Sequence, residues 1–148
     1  GRLEEELTAV RAAGIGCEII PGVTSASAAA AAAGIPLTRR SHAQRVQFIT
    51  AADVTGNLPP GLNMVALADP QATTVIYMGK RTFPALAAAL IAHGLPPETP
   101  ALLAESVSTP EQTLHRSTVA ALAATLAEDR SPLPGLILVG NLAEGVGD

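Results

Sequence analysis

The chain has 148 residues, of which 48% are hydrophobic and 15% are charged, a composition typical of a folded domain and not of a disordered segment. Its net charge of −4 argues against a general nucleic-acid binder, which would have a basic excess. The sequence shows neither an apolar run long enough to cross a bilayer nor a signal peptide. We therefore expect a cytoplasmic protein without nucleic-acid or membrane partners.

Apolar periodicity and turn signals predict helices and strands that alternate along the chain. Helices are predicted over 3–13, 24–33, 64–68, 83–93 and 119–128. Strands are predicted over 17–20, 45–50, 73–77, 101–105, 112–117 and 136–139. This alternation predicts one α/β domain over residues 1–148, a three-layer arrangement with helices on the faces of a mixed sheet of about five strands.

Several common functional motifs are missing from the sequence. It has no GxSxG nucleophile elbow, no GxxxxGK[ST] phosphate loop and no GxGxxG after a strand. Three separated histidines and one cysteine offer no metal-ligand spacing, so no metal site is expected. The single cysteine, Cys17, stands at the head of an apolar run and is predicted to be a buried, inert thiol.

Two short segments follow predicted strands and are candidate ligand loops: PGVTSA over 21–26 and YMGK over 77–80. In an open α/β sheet, ligands bind at the C-terminal ends of strands. Thr24 and Ser25 stand at a predicted helix N-terminus, where free N–H groups favour an anionic oxygen; the alternative is a simple N-cap. Met78 is suited to contact an adenine face or a thioether, and the alternative is a core side chain.

The basic residues offer candidate contacts to acidic ligands. Arginine binds carboxylates bidentately, and the alternative for each surface arginine is a solvated position. The cations available for this role are Arg39, Arg40, Arg45, Lys80 and Arg81. Glu105 ends a predicted strand and is interpreted as a structural acceptor in preference to a general base.

A set of ordered motifs resembles the C-terminal half of the tetrapyrrole methylases, in particular the uroporphyrinogen-III C-methyltransferases, which occur alone or as the methylase part of sirohaem synthase. The motifs are PGVTSA (21–26), AGIPLTRR (33–40), AQ (43–44), VIYMG (75–79) and TPEQ (109–112). The opening GRLEEE looks like the Gly-Arg-Gly-Gly-Glu-Glu stretch that closes the first domain in this family. Together these motifs extend over nearly the whole chain.

The resemblance implies a cofactor, a substrate and a set of site residues. S-adenosylmethionine would be held by Thr24, Ser25, Met78 and the backbone of Val107, and Arg40 would bind an acetate or propionate of uroporphyrinogen III. The reaction would methylate two pyrrole carbons and give precorrin-2, for sirohaem or cobalamin synthesis. The family's Gly-rich loops and acid–base residues lie in the first domain, so no catalytic residue is assigned here, and the 148-residue chain alone is expected to be inactive. The full-length enzyme would be a homodimer.

The sequence departs from the family pattern at two places. Arg39 stands where the family usually has histidine, and Ala51 and Ala52 stand where it usually has Gly-His. Two alternative functions therefore stay open: another tetrapyrrole methylase acting on a precorrin, and a non-catalytic dimerisation or interaction module with Ala/Leu-rich helices as its contact surface.

Overall fold

The computed structural model describes residues 2–129 and 131–142. The helices in this part of the chain are α1 (Leu3–Ala12), α2 (Ser25–Ala32), α3 (Met64–Leu67), α4 (Phe83–Ala92) and α5 (Val119–Glu128). The strands are β1 (Arg45–Thr50), β2 (Ala72–Tyr77), β3 (Pro100–Glu105), β4 (Thr113–Thr118) and β5 (Gly135–Val139). None of the described helices has the length and apolar content needed to cross a membrane.

The five strands form one sheet in the order β1-β2-β5-β3-β4. β1 and β2 are parallel, whereas β5 is antiparallel to both β2 and β3, and β4 is antiparallel to β3. Strands β1, β2 and β3 therefore run in one direction and end together, at Thr50, Tyr77 and Glu105. We call this the upper edge of the sheet. Strand β5 begins there at Gly135 and ends at the opposite, lower edge with Val139.

Helices α3, α4 and α5 cover one face of the sheet. Phe83, Leu86 and Leu122 pack there against Ile76 and Ile137, and all five side chains are fully buried. Burying a leucine or phenylalanine of this kind contributes about 1.5–3 kcal/mol. With very few aromatic residues in the chain, aliphatic packing supplies most of this core.

Helix α2 covers the other face. Its buried residues are alanines, and Ala26 and Ala29 pack in a second cluster with Val75, Leu102 and Leu138. Val75 and the next residue of β2, Ile76, belong to different clusters, because successive side chains of a strand point to opposite faces of the sheet. The result is a three-layer α/β domain with a mixed five-stranded sheet, which confirms the predicted fold class.

One predicted strand is wrong. Residues 17–20 have no strand partner in the described part of the chain, and Ile19 and Ile20 are 57% and 73% exposed. Cys17 is exposed as well, so the prediction of a buried thiol is also wrong. The prediction depended on a short apolar run, but a strand needs a neighbouring strand to pair with its backbone, and none of the five described strands pairs with this segment.

Candidate functional site

An open pocket of about 450 Å³ lies at the upper edge of the sheet. Its walls come from the first turn of α2, the end of β2, the end of β3 with the loop that follows, and the start of β5. The lining residues are Ser25, Tyr77, Met78, Ala104, Ser106, Val107, Thr109, Pro134, Gly135 and Leu136. The volume lies within the range of small-molecule sites, and the mixture of apolar walls with a few hydroxyl groups is typical of them.

Met78 directly follows β2 and has a left-handed backbone, with φ of +54°. Its side chain is 62% exposed and lines the pocket, so the alternative of a core side chain is wrong. Gly79 comes next, where an added Cβ would lie 2.6 Å from the Ile76 Cγ2 atom. Position 79 therefore requires a glycine, because the backbone after Met78 passes too close to the core side chain of Ile76 to leave room for a Cβ atom.

The loop after β3 brings Val107 to the same pocket. Ser106 has φ of +47°, and its N–H donates to the Pro134 carbonyl at 3.0 Å. The Ser108 N–H donates to the Gln112 side-chain oxygen at 3.0 Å, which closes the loop on itself. Left-handed conformations of residues other than glycine are costly and occur preferentially at ligand sites. Two of the three that occur among the described residues, Met78 and Ser106, line this pocket.

Thr24 and Ser25 have different positions. Thr24 is the N-cap of α2, and its Oγ1 accepts from the Ala26 N–H over a long 3.5 Å. The same hydroxyl is hydrogen-bonded to the Tyr77 hydroxyl, so Thr24 contacts a pocket residue without lining the pocket itself. Ser25, the first residue of α2, lines the pocket directly. The Phe48 ring stacks on the Tyr77 ring, with centroids 6.3 Å apart.

Arg40 lies far from the other predicted site residues. The neighbouring Arg39 donates to the Asn141 side-chain oxygen at 3.3 Å, and Asn141 follows the end of β5 at the lower edge. The loop that contains Arg40 is thus separated from the pocket by the length of a five-residue strand, about 16 Å. Arg40 lines a separate open pocket with Thr38, Arg39 and Gln44, and no described residue is hydrogen-bonded or ion-paired to its guanidinium.

The other four cations each have a partner within the chain. Arg39 contacts Asn141 as described, and Arg45 pairs with Asp69 at 2.9 Å. Arg81 donates to the carbonyl of Gly56. These residue types are suited to carboxylate binding, but their contacts within the chain depend on the tertiary structure and cannot be predicted from the sequence.

Lys80 is the fourth of these cations and lies behind the wall of the upper-edge pocket. Its Nζ is ion-paired with Glu105 and lies 3.0 Å from the Asp129 Oδ2 atom. Burial lowers the pKa of Lys80, but the hydrogen bonds to Glu105 and Asp129 outweigh burial and raise the pKa above its ordinary value of 10.5. Glu105 is therefore a structural acceptor, as interpreted from the sequence.

Local sequence patterns do not indicate the whole pocket. Ser106, Thr109, Pro134 and Gly135 were not predicted to line it. The Pro-Gly pair directly before the last predicted strand was an available signal for a loop, but the position of β5 between β2 and β3 depends on the sheet order, which local patterns do not specify.

Comparison with known proteins assigns the chain to a family. The family model of the tetrapyrrole (corrin/porphyrin) methylases matches residues 1–123. The siroheme synthase of Stutzerimonas stutzeri is 41% identical over 147 residues, which cover 97% of this chain and 30% of that protein. The uroporphyrinogen-III C-methyltransferase of Paracoccus denitrificans is 39% identical over 143 residues, covering 97% of this chain and 50% of that protein. The chain thus spans no more than half the length of these relatives.

Solved structures agree with this assignment. A cobalt precorrin-4 methyltransferase matches with a TM-score of 0.80 and 27% identity, over 93% of this chain and 57% of that one. The uroporphyrin-III C-methyltransferase of Thermus thermophilus, complexed with S-adenosylhomocysteine, matches with a TM-score of 0.76 and 30% identity, over 95% of this chain and 59% of that one. Because the family model covers most of the chain and the fold agrees, the chain belongs to the tetrapyrrole methylases.

Proposed function

We propose that this chain is the C-terminal half of an S-adenosylmethionine-dependent methyltransferase that converts uroporphyrinogen III to precorrin-2. The observation that supports this most directly is the convergence of Ser25, Met78 and Val107 on one pocket, although they lie far apart in the sequence. The pocket also lies where the strands β2 and β3 end, which is the general position of ligands in open α/β sheets.

The pocket residues fit the parts of S-adenosylmethionine. The Met78 thioether offers a polarizable surface for the adenine, and the Val107 backbone completes that wall. The Ser25 hydroxyl, at the start of α2, is suited to a polar group of the ribose or the methionine moiety. The cofactor supplies an electrophilic methyl group on a sulfonium for attack by a nucleophilic pyrrole carbon. The contribution of these side chains is to orient the two reactants and to keep water away.

A second domain belongs to the same proposal. The segment between α1 and α2 exposes four apolar side chains, those of Ile15, Ile19, Ile20 and Val23. This apolar segment directly precedes Thr24 and Ser25 in the sequence. A partner domain covering this segment and the open side of the pocket would complete the site. The 148-residue chain alone would then be a poor catalyst, because a water-filled site weakens electrostatic stabilisation. A cytoplasmic homodimer of the full-length protein, as the resemblance implies, is part of this proposal.

Arg40 is retained as a proposed substrate ligand for a specific reason. Its guanidinium has no partner among the described residues, and uroporphyrinogen III offers eight carboxylates, for which an unpaired arginine is well suited. Its place at the lower edge restricts the role to a carboxylate remote from the reacting carbon. Arg40 is therefore proposed to bind substrate and not cofactor.

The test is methyl transfer by the full-length protein. With S-adenosylmethionine labelled in the methyl group and uroporphyrinogen III as acceptor, we expect two methyl groups per substrate and the absorption of precorrin-2. The second candidate, methylation of a precorrin, is favoured by the high TM-score to the precorrin-4 enzyme. Label transferred only to a precorrin acceptor would select that candidate, and the absence of S-adenosylhomocysteine binding would favour an interaction module.

A further inference from the structure

We infer that Lys80 is a positioning residue that holds the three strand-end loops of the upper-edge pocket in their binding arrangement. The inference deepens the proposed function, because it assigns a role in cofactor binding to a side chain that is not in the pocket lining. It depends on one ammonium group that contacts parts of the chain far apart in sequence.

The contacts of Lys80 extend to all three loops. Lys80 itself follows Met78 and Gly79 in the loop after β2. Its Nζ pairs with Glu105, the last residue of β3, directly before Ser106. The Nζ also donates to the backbone carbonyls of Ser131 and Leu133, at 3.2 and 3.3 Å, in the segment that leads to the pocket residues Pro134 and Gly135. One side chain thus connects the segments that contribute Met78, Val107 and Gly135.

The stem of Lys80 is also part of the wall. An added Cβ at Gly135 would lie 2.8 Å from the Lys80 Cδ atom and 3.1 Å from the Leu103 Cδ1 atom. The absence of a side chain at Gly135 therefore lets the lysine stem pass directly behind the pocket. The ammonium and its main partner are shielded, since the Lys80 and Glu105 side chains are each 15% exposed.

The arrangement around Glu105 supports a positioning role. One carboxylate oxygen accepts from Lys80, and the other lies 3.4 Å from the Thr113 Oγ1 atom on the adjacent strand β4. Ser106 comes next and has φ of +47°, a conformation that persists only where the surroundings hold it. Removing the ammonium would leave Glu105 and Asp129 without their shared cation, so the loops at both ends of the bridge would separate.

The experiment compares two variants of the full-length protein, Lys80→Met and Asp69→Asn. The second breaks a more exposed charge pair, between Arg45 and Asp69, at the lower edge. We expect Lys80→Met to weaken S-adenosylhomocysteine binding, measured by calorimetry, by about tenfold or more. Amide hydrogen exchange should become faster in 105–109 and 131–135 but not in α2 or β1. Asp69→Asn should leave both readouts unchanged.

Two results would overturn the inference. One is wild-type affinity with unchanged hydrogen exchange in Lys80→Met. The other is exchange that becomes faster to the same extent throughout the sheet, since that would indicate a general loss of stability. If the unaltered protein fails to bind S-adenosylhomocysteine, the proposed function fails, and the local exchange pattern alone still decides whether Lys80 holds these loops.

Discussion

Met78 and Ser106 occupy equivalent positions on two strands: each is the first residue after its strand, and each has a left-handed backbone, with φ of +54° and +47°. Strand β5 lies between the two strands, and its first residue, Gly135, lines the same pocket. Such conformations cost about 1–3 kcal/mol each unless the surroundings compensate. Their pairing at one edge of the sheet supports the proposal that this edge holds the ligand site.

Replacing Met78 with alanine should weaken cofactor binding more than folding. The side chain is 62% exposed, so its removal costs little stability, whereas a lost contact between a thioether and an aromatic ring weakens binding by about 1 kcal/mol. The measurement is S-adenosylhomocysteine calorimetry and thermal unfolding of the same full-length variant. The matched control is Met64→Ala, because Met64 packs against the core and should lose stability with its affinity retained. Wild-type affinity in Met78→Ala would remove Met78 from the proposed site.

Thr24→Ala should lower both stability and cofactor affinity. The helix cap contributes about 1 kcal/mol to folding, and the contact with Tyr77 keeps a pocket residue in place. Thr118→Ala is the control, because Thr118 caps α5 through a similar bond to Ala121, away from the pocket residues. Both variants should unfold at lower denaturant concentrations, but only Thr24→Ala should bind S-adenosylhomocysteine more weakly. Equal affinities in the two variants would show that Thr24 only caps α2 and has no role in cofactor binding.

Arg40→Ala in the full-length enzyme should reduce turnover of uroporphyrinogen III while S-adenosylhomocysteine binding stays unchanged. Truncating an exposed arginine such as Arg40 costs less than the about 2–5 kcal/mol of a shielded carboxylate contact, so we expect a loss of about tenfold in rate, which corresponds to about 1.4 kcal/mol. Arg40→Lys should restore only part of the activity, because lysine lacks the bidentate fork. Steady-state kinetics decide the matter: unchanged turnover in Arg40→Ala would make Arg40 a solvated residue at the lower edge.

The ion pairs of Lys80 should stabilise the fold up to strongly alkaline pH. Burial lowers the pKa of Lys80, and the carboxylates of Glu105 and Asp129 raise it by more, so the folded pKa exceeds the unfolded value of 10.5. Below pH 10.5 the lysine is protonated in both states and the stabilisation is fully present. As the pH rises through the folded pKa, the stabilisation is lost.

Denaturant unfolding of the wild type and of Lys80→Met over this range provides the check. The difference in unfolding free energy should be constant from neutral pH to about pH 10 and should decrease above it. The comparison between the two proteins removes the effect of other alkaline titrations, which they share. A difference that increases with pH would show that the folded pKa is lowered.

Local sequence patterns predict most helices and strands, because the apolar periodicity and turn residues that indicate an element lie within a few residues of it. The apolar spacing over 119–128 predicts α5, and Met78 is marked by its place between a buried strand and a glycine. The segment around Ile19 has the same apolar signal as a strand but no neighbour in the sheet. The bridge from Lys80 to Asp129 and the distance of Arg40 from the pocket depend on strand order, which no local pattern contains.

Calorimetric titration of S-adenosylhomocysteine into the full-length protein and into the 148-residue chain tests the central claim most directly. The claim is that the upper-edge pocket, around Met78 and Val107, is half of a cofactor site. We expect the full-length protein to bind one molecule per chain. The isolated chain should bind with an affinity lower by about tenfold or more, because a pocket open on one side loses contacts and shielding. No binding by the full-length protein would contradict the claim.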